Sequence, residues 1–240
     1  MKRQILRAAM ALALLLGTSG CLYPNEMRKE NQMTPQESLT VVKNAVESYR
    51  NATGVLPIRN KPADTPLYEK YPVDFKLLTE RGFLGTIPGI AYENGGRGVF
   101  VLVDPEEDLK VRLIDVLAYQ TVQYVQARVT EYNASRRQLP LGEPLEGAEG
   151  FYSINYKQLG ISEEKLMSAY SGHSLQLILH QSGRVGIDYG PDLALHLRKS
   201  GKTPPPDKNL LDLLVEETPY APAASFPYRL VSGEPRPYME

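Results

Sequence analysis

The chain has no tryptophan, one cysteine, three histidines and five phenylalanines among its 240 residues. A single cysteine excludes an intrachain disulfide and any zinc site built on cysteine pairs. His173, His180 and His196 do not have the i, i+4 spacing of a helical metal pair, and no carboxylate cluster accompanies them. Gly-x-Ser-x-Gly is absent, so no nucleophile elbow is encoded. Apolar runs are short, and after Leu16 none approaches the ~20 residues that span a bilayer. Neither charge is in excess, with 27 Lys and Arg against 28 Asp and Glu. That balance argues against nucleic acid as a partner and against a polybasic membrane patch. No metal and no cofactor is expected.

What is present begins with the one cysteine. Lys2, Arg3 and Arg7 flank the start of an unbroken apolar run from Ala8 to Leu16, which has the length of a secretory h-region and is too short for a stable span. Thr18, Ser19 and Gly20 then place small residues directly before Cys21. This layout resembles the lipobox of bacterial lipoproteins, with Thr18 where that family usually has Leu. The resemblance implies that residues 1–20 are a signal peptide, that the Cys21 thiol receives a diacylglycerol, and that cleavage falls just before it. The mature chain would lose three of the 27 basic residues and no acidic one, leaving 24 against 28, a net charge of −4. The lipid would supply the membrane contact, at about 0.8 kcal/mol per buried CH₂.

Residues 21–33 are polar and read as a lipidated tether. Thr34-Pro35-Gln36-Glu37 carries the marks of a helix start: a capping hydroxyl, proline at the first position and a glutamate that closes a capping box. Leu39, Val42, Val46 and Tyr49 follow at spacings of three and four, one face of a helix, and Gly54 ends it. Val122, Val125, Val129 and Tyr132 repeat that face over Thr121 to Arg137.

The text around these helices also repeats. Tyr49 to Pro57 stands against Tyr132 to Pro140. Tyr71-Pro72-Val73-Asp74-Phe75-Lys76-Leu77-Leu78 stands against Tyr152-Ser153-Ile154-Asn155-Tyr156-Lys157-Gln158-Leu159. Val99 to Val103 stands against Leu175 to Leu179, each followed by a polar turn and a second strand ending in Ile114-Asp115 or Ile187-Asp188. The predicted fold class is therefore α+β. It holds two duplicated modules of about 80 residues, 34–116 and 117–200, each a helix, a loop and an antiparallel hairpin or small sheet. A Pro-rich extension, 201–240, completes the chain. Asp192 is expected to cap a short helix through Arg198, Leu210 to Val215 to form a last helix, and Tyr228 to Val231 to form an edge strand.

Two further resemblances bear on this layout. Tyr49…Leu56-Pro57 and Phe83-Leu84…Ile87-Pro88 make each module similar in outline to the globular part of type II secretion pseudopilins, which implies a helix against a small antiparallel sheet. From Cys21-Leu22-Tyr23-Pro24 to its Tyr- and Pro-rich end, the chain is similar to functionally unassigned lipoproteins of endospore-forming bacilli. That likeness implies a Gram-positive cell membrane and a sporulation or envelope role.

Among polar candidates, Tyr71, Tyr152 and Tyr156 fall in the repeated segments and are candidate binding residues, since tyrosine is common at binding surfaces. The plainer alternative is that they fill half-buried positions of the modules. Asp104, Glu106, Glu107 and Asp108 lack EF-hand spacing and read as a charged hairpin turn. Gly95-Gly96-Arg97-Gly98 precedes a strand, so it cannot cradle phosphate at a helix start. Ser171-Gly172-His173-Ser174 reads as a polar turn, and His180 as a surface histidine at a hairpin turn.

The function expected from all this is a membrane-anchored extracytoplasmic lipoprotein that works as a non-enzymatic protein- or envelope-binding module. Its partners would be the membrane, through the lipid on Cys21, and an envelope or membrane protein. One alternative is an envelope-acting hydrolase with a fold-assembled carboxylate site, with Asp74 or Asp188 in acid/base roles. Another is a solute-binding lipoprotein.

Overall fold

Proline at the first position and apolar residues at helical spacing give α1, Pro35–Thr53, which buries Leu39, Val42, Ala45, Val46 and Tyr49 along one face. The structure, a computed structural model, describes residues 33–201, 204–205 and 208–239. Cys21, the signal peptide and nearly all of the tether lie outside the described residues. Gly54, at φ 77, closes α1 and donates its N–H to the Arg50 carbonyl at 2.8 Å.

After α1 come β1 (Tyr71–Pro72), α2 (Phe75–Glu80), β2 (Gly98–Val103) and β3 (Lys110–Asp115). The strands form one antiparallel sheet in the order β1-β2-β3, and Ile58 makes an antiparallel bridge to Val73 beside it. Phe100, Leu102, Val111 and Leu113 share a core cluster with the buried face of α1. Phe75 meets Phe100 edge-on, with ring centroids 5.2 Å apart.

The same order of elements follows a second time. It runs α3 (Val116–Arg136), β4 (Leu141–Pro144), β5 (Phe151–Ile154), α4 (Tyr156–Leu159), then β8 (Leu177–His180) and β9 (Val185–Ile187). A two-residue ladder of β6 (Leu166–Met167) and β7 (Ser174–Leu175) is inserted before β8. The second sheet is ordered β4-β5-β8-β9, and Val122, Val125 and Val129 of α3 pack with Leu177, Leu179, Val185 and Ile187.

The likeness extends to single hydrogen bonds. Asp74 caps α2 by accepting from Leu77 N at 3.0 Å, and Asn155 caps α4 by accepting from Gln158 N at 3.1 Å. Asp74 N donates to the Pro57 carbonyl at 2.8 Å, and Asn155 N to the Pro140 carbonyl at 2.9 Å. Tyr71 pairs with Leu102 and Leu102 with Val111, as Tyr152 pairs with Leu179 and Leu179 with Val185.

This register corrects the strand alignment by one residue. Val101 corresponds to Ile178 and Leu113 to Ile187, whereas the text match set Ile114 against Ile187. β2 and β8 are buried on both faces, so no polar-apolar alternation fixes their phase. α3 also starts five residues before the expected Thr121. Asp115 ends β3 and at once caps the helix, with Oδ1 accepting from Leu117 N and Ala118 N.

Beyond β9 lie α5 (Gly190–Ser200) and α6 (Leu211–Glu217). Asp192 does not cap α5 as expected. It is buried inside the helix and accepts a 2.7 Å hydrogen bond from Ser168 Oγ. Tyr189 holds the cap position without a side-chain bond, and Asp188 just before it accepts from Gly190 N at 2.8 Å.

Residues 218–227 then run as a strap along both sheets. Leu113 and Tyr220 form a parallel bridge, and so do Ile187 and Ser225. The strap leads into a ribbon of β10 (Tyr228–Val231) and β11 (Glu234–Pro237). Ser232 at φ 52 and Gly233 at φ 83 make the turn of the type that matches strand twist.

Arg137 ends α3 at the position where Gly54 ends α1, and it too is left-handed, at φ 54. A side chain there costs about 1 kcal/mol that glycine avoids. Arg137→Gly is expected to stabilise the chain by roughly that amount and raise Tm by about 2–4 °C, read by thermal denaturation. No rise would mean that the left-handed cap carries no strain.

Candidate functional site

A large open cleft lies between the first sheet and the N-terminal half of α3, with a volume of about 860 Å³. That is in the range of small-ligand and peptide sites. Its floor is sheet 1, through Pro72, Val99, Val101 and Ile114. One wall is the loop Arg59 to Pro66, and the opposite wall is Val116, Tyr119, Gln120 and Gln123 of α3. Tyr92 stands at the rim, 54% exposed.

Local sequence builds each wall. The first carries Pro62, which opens a turn closed by Thr65 N donating to its carbonyl at 3.1 Å, and the Asp115 cap sets where α3 begins and which of its side chains face the sheet. Arg59 closes one end through a 2.9 Å ion pair with Glu93; it is partly exposed, so it contributes well under about 1 kcal/mol. Burial, with Glu69 beside it, raises the Tyr119 phenol above its ordinary value, so the ring presents an un-ionised hydroxyl. Glu69 in turn accepts from Ala224 N at 2.7 Å, which ties the cleft to the strap.

The sequence-derived candidates lie elsewhere. Tyr71 packs at the edge of the first core and Tyr156 at the edge of the second, while Tyr152 sits half-buried on β5. The three are not brought together, and none lines the cleft. Burial, then the nearby Glu163, pushes the Tyr156 phenol up to about 12.

Both carboxylates considered for acid/base work hold structure. Asp74 Oδ1 caps α2, and Asp188 Oδ1 accepts from Gly190 N and from the Tyr228 hydroxyl at 2.7 Å. Among the described residues, no three His, Cys, Asp or Glu side chains converge as metal ligands would.

The cleft residues Tyr92, Tyr119, Gln120 and Gln123 were not singled out in the sequence. The available signal was Asp115 before Val-Leu-Ala, an N-cap that would have carried α3 back across Tyr119 and Gln120.

Two polar side chains differ from their expected settings. His180 stands at the hairpin turn but is buried, 8% exposed, with its ring 4.8 Å from that of Phe151. Ser182 N donates to its Nδ1 at 3.1 Å, which assigns the proton of the neutral ring to Nε2. Ser168 Oγ donates to buried Asp192 while accepting from Tyr170 N and Ser171 N. This hydroxyl has a full set of partners and pins the β6–β7 loop to α5.

Compared with known proteins, residues 35–115 match the YphF family N-terminal domain. Those bounds coincide with α1 through β3, the first run of the repeat, and leave α3, the second sheet and the strap outside the match. No curated protein matches the chain, and no solved structure does.

Burial, with Arg184 nearby, lowers the His180 pKa. Protonation therefore favours the unfolded chain. The His180 contribution is fully present above pH ~6.5 and is lost as the pH falls through the lower folded value. Between pH 7.5 and 5 the native chain should lose more thermal stability than His180→Asn, which keeps an acceptor for Ser182 N; equal losses would remove His180 as a source of acid sensitivity.

Ser168→Ala strands the Asp192 carboxylate and two N–H donors, and should cost about 1–3 kcal/mol in urea unfolding. A cost under about 0.5 kcal/mol would show that other groups satisfy Asp192.

Proposed function

We propose that the chain is a lipid-anchored, extracytoplasmic protein of the cell membrane that works as a non-enzymatic binding module for an envelope or membrane protein. The observation that carries the anchor is the order of residues 2–21: basic start, short apolar run, small residues and cysteine. No described helix is long and apolar enough to cross a membrane, so attachment rests on Cys21.

Binding in preference to chemistry is supported by the open cleft. Its walls combine tyrosine, proline, valine and glutamine with Arg59, Lys61, Asp64 and Glu69, and Glu69 is already engaged by Ala224 N. Asp74 and Asp188, the carboxylates considered for an envelope hydrolase, are both engaged: Asp74 caps α2, and Asp188 accepts from Gly190 N and the Tyr228 hydroxyl. The sequence likeness to lipoproteins of endospore-forming bacilli supports a role at the envelope of a Gram-positive cell.

Fractionation of a bacterial host expressing the full chain tests the anchor. Intact chain should sediment with membranes, resist a high-salt wash and incorporate labelled palmitate. Cys21→Ala should lose the label and accumulate unprocessed. Palmitate labelling that survives Cys21→Ala would overturn the assignment.

A further inference from the structure

The repeat lets one half of the molecule report on the other. Leu113 of β3 corresponds to Ile187 of β9, and the helices that follow begin at matching places, Val116 for α3 and Gly190 for α5, both at the same spacing of 74 residues. At that spacing Gln120 and Gln123 of α3 correspond to Ala194 and Leu197 of α5. The open cleft therefore has a counterpart in the second repeat, bounded by the loop around Leu145 and Glu146, the end of β9 and the start of α5.

That counterpart is occupied in part by the chain itself. β11 packs against α5, and Pro235 and Arg236, with Leu145, Glu146, Gly190 and Ala194, line the space of about 340 Å³ that remains. A methyl group placed on Gly190 would stand 3.6 Å from the Pro235 carbonyl, and one on Gly147 would stand 3.0 Å from Arg236 Nε. On its far side the ribbon faces the same helix across a second open space, which Leu230 and Pro235 line with Ala194 and Leu197. So the groove of the second repeat holds an extended Pro-Arg-Pro segment, and Pro235 and Pro237 are buried there.

In the first repeat the same groove is wider and open. The loop between the bridged residues Ile58 and Val73 is longer than that between Leu141 and Ile154 by two residues. Its floor is apolar, and Tyr92 and Tyr119 bound it. Tyrosine faces beside an apolar floor suit proline rings, and a proline-rich segment is already extended and loses little entropy on docking. Gln120 and Gln123 replace Ala194 and Leu197. Their exposed amides can donate to the carbonyls of such a segment and remain hydrated when it leaves. The second groove is built for a permanent occupant and the first for an exchangeable one.

We propose that the cleft beside α3 binds an extended, proline-containing segment of a partner protein, seated as β11 is seated beside α5. This rests on the chain being a protein-binding module and names the site and the class of partner.

The test uses the full chain in detergent micelles and two probes. One is a fluorescent peptide of residues 233–240, Gly-Glu-Pro-Arg-Pro-Tyr-Met-Glu, carrying a photoreactive benzoylphenylalanine in place of Tyr238. The other is a displayed library of X-Pro-X-Pro dodecapeptides. Saturable binding is expected, with crosslinks on α3 or the loop 59–66, and affinity about tenfold or more weaker in both Tyr92→Ala and Gln120→Arg. Gln123→Arg serves if either variant shifts Tm.

No saturable binding of either probe overturns the proposal. So does binding that ignores these substitutions, or crosslinks confined to α5, which mean exchange with the chain's own ribbon. Self-association that Gln120→Arg abolishes would make a second copy the occupant and overturn the assignment to a partner protein. Loss of peptide binding with palmitate labelling intact removes the cleft proposal and leaves the anchor standing.

Discussion

The fold depends on how its two sheets end. Each antiparallel sheet would finish in an open edge, at β3 and at β9, with unpaired backbone groups ready to recruit another strand. The strap closes both. Leu113 N donates to the Pro219 carbonyl at 2.9 Å and its carbonyl accepts from Ala221 N at 2.8 Å. Ile187 N donates to the Ala224 carbonyl at 2.7 Å, and its carbonyl accepts from Ser225 Oγ at 2.7 Å. Leu113 and Ile187 are corresponding residues, so one segment of chain meets the same point of the repeat twice. The neighbouring pair of corresponding residues serves the same end. Arg112 donates through Nε to the Val215 carbonyl in the last turn of α6 at 2.6 Å, where a cation complements the helix dipole. Gly186 leaves room for Phe226, whose ring would stand 2.6 Å from an added methyl.

Two copies of one plan thus acquire different surroundings. The outer face of the second sheet is sealed by Phe226, with Phe151, Ile178 and Ala148 around it. The outer face of the first sheet supplies Val101, Val103 and Ile114 to the large second core, so the two halves are joined by burial as well as by the strap. The join is incomplete where α3 leaves β3, and the cleft opens there. The asymmetry follows from the chain having one ribbon for two grooves.

Much of the framework was legible in the sequence, for physical reasons that differ by element. The helical faces of α1 and α3 announce themselves because one side of each meets a core and the other meets water. The repeat is visible in residues that fix backbone geometry: the Asp74 and Asn155 caps, and Pro57 and Pro140. The strand phase was not legible, since β2 and β8 are buried on both faces and offer no alternation to count. Asp115 reads in the sequence as the end of a strand and is also the cap of a helix, which hides Tyr119 and Gln120. The burial of His180 comes from Phe151 and Phe226, which no local pattern links to a hairpin turn. The cleft needs side chains from both repeats, so its walls lie far apart in the sequence.

The strap also sets the order in which the molecule can finish folding. Residues 218–226 are made after every element they close, and the contacts from Leu113 to Tyr220 span most of the second half of the chain. Closing so long a loop is entropically costly and comes late. α1 and its sheet can assemble early from nearby residues, whereas the second core waits for Leu210, Leu211 and Tyr228 to arrive. A chain cut short before the strap would keep a folded first half and two unpaired strand edges, the form most easily recognised by proteases and most prone to pair with its own kind. Completion of the last thirty or so residues is thus the step that commits the whole chain to its final, closed state.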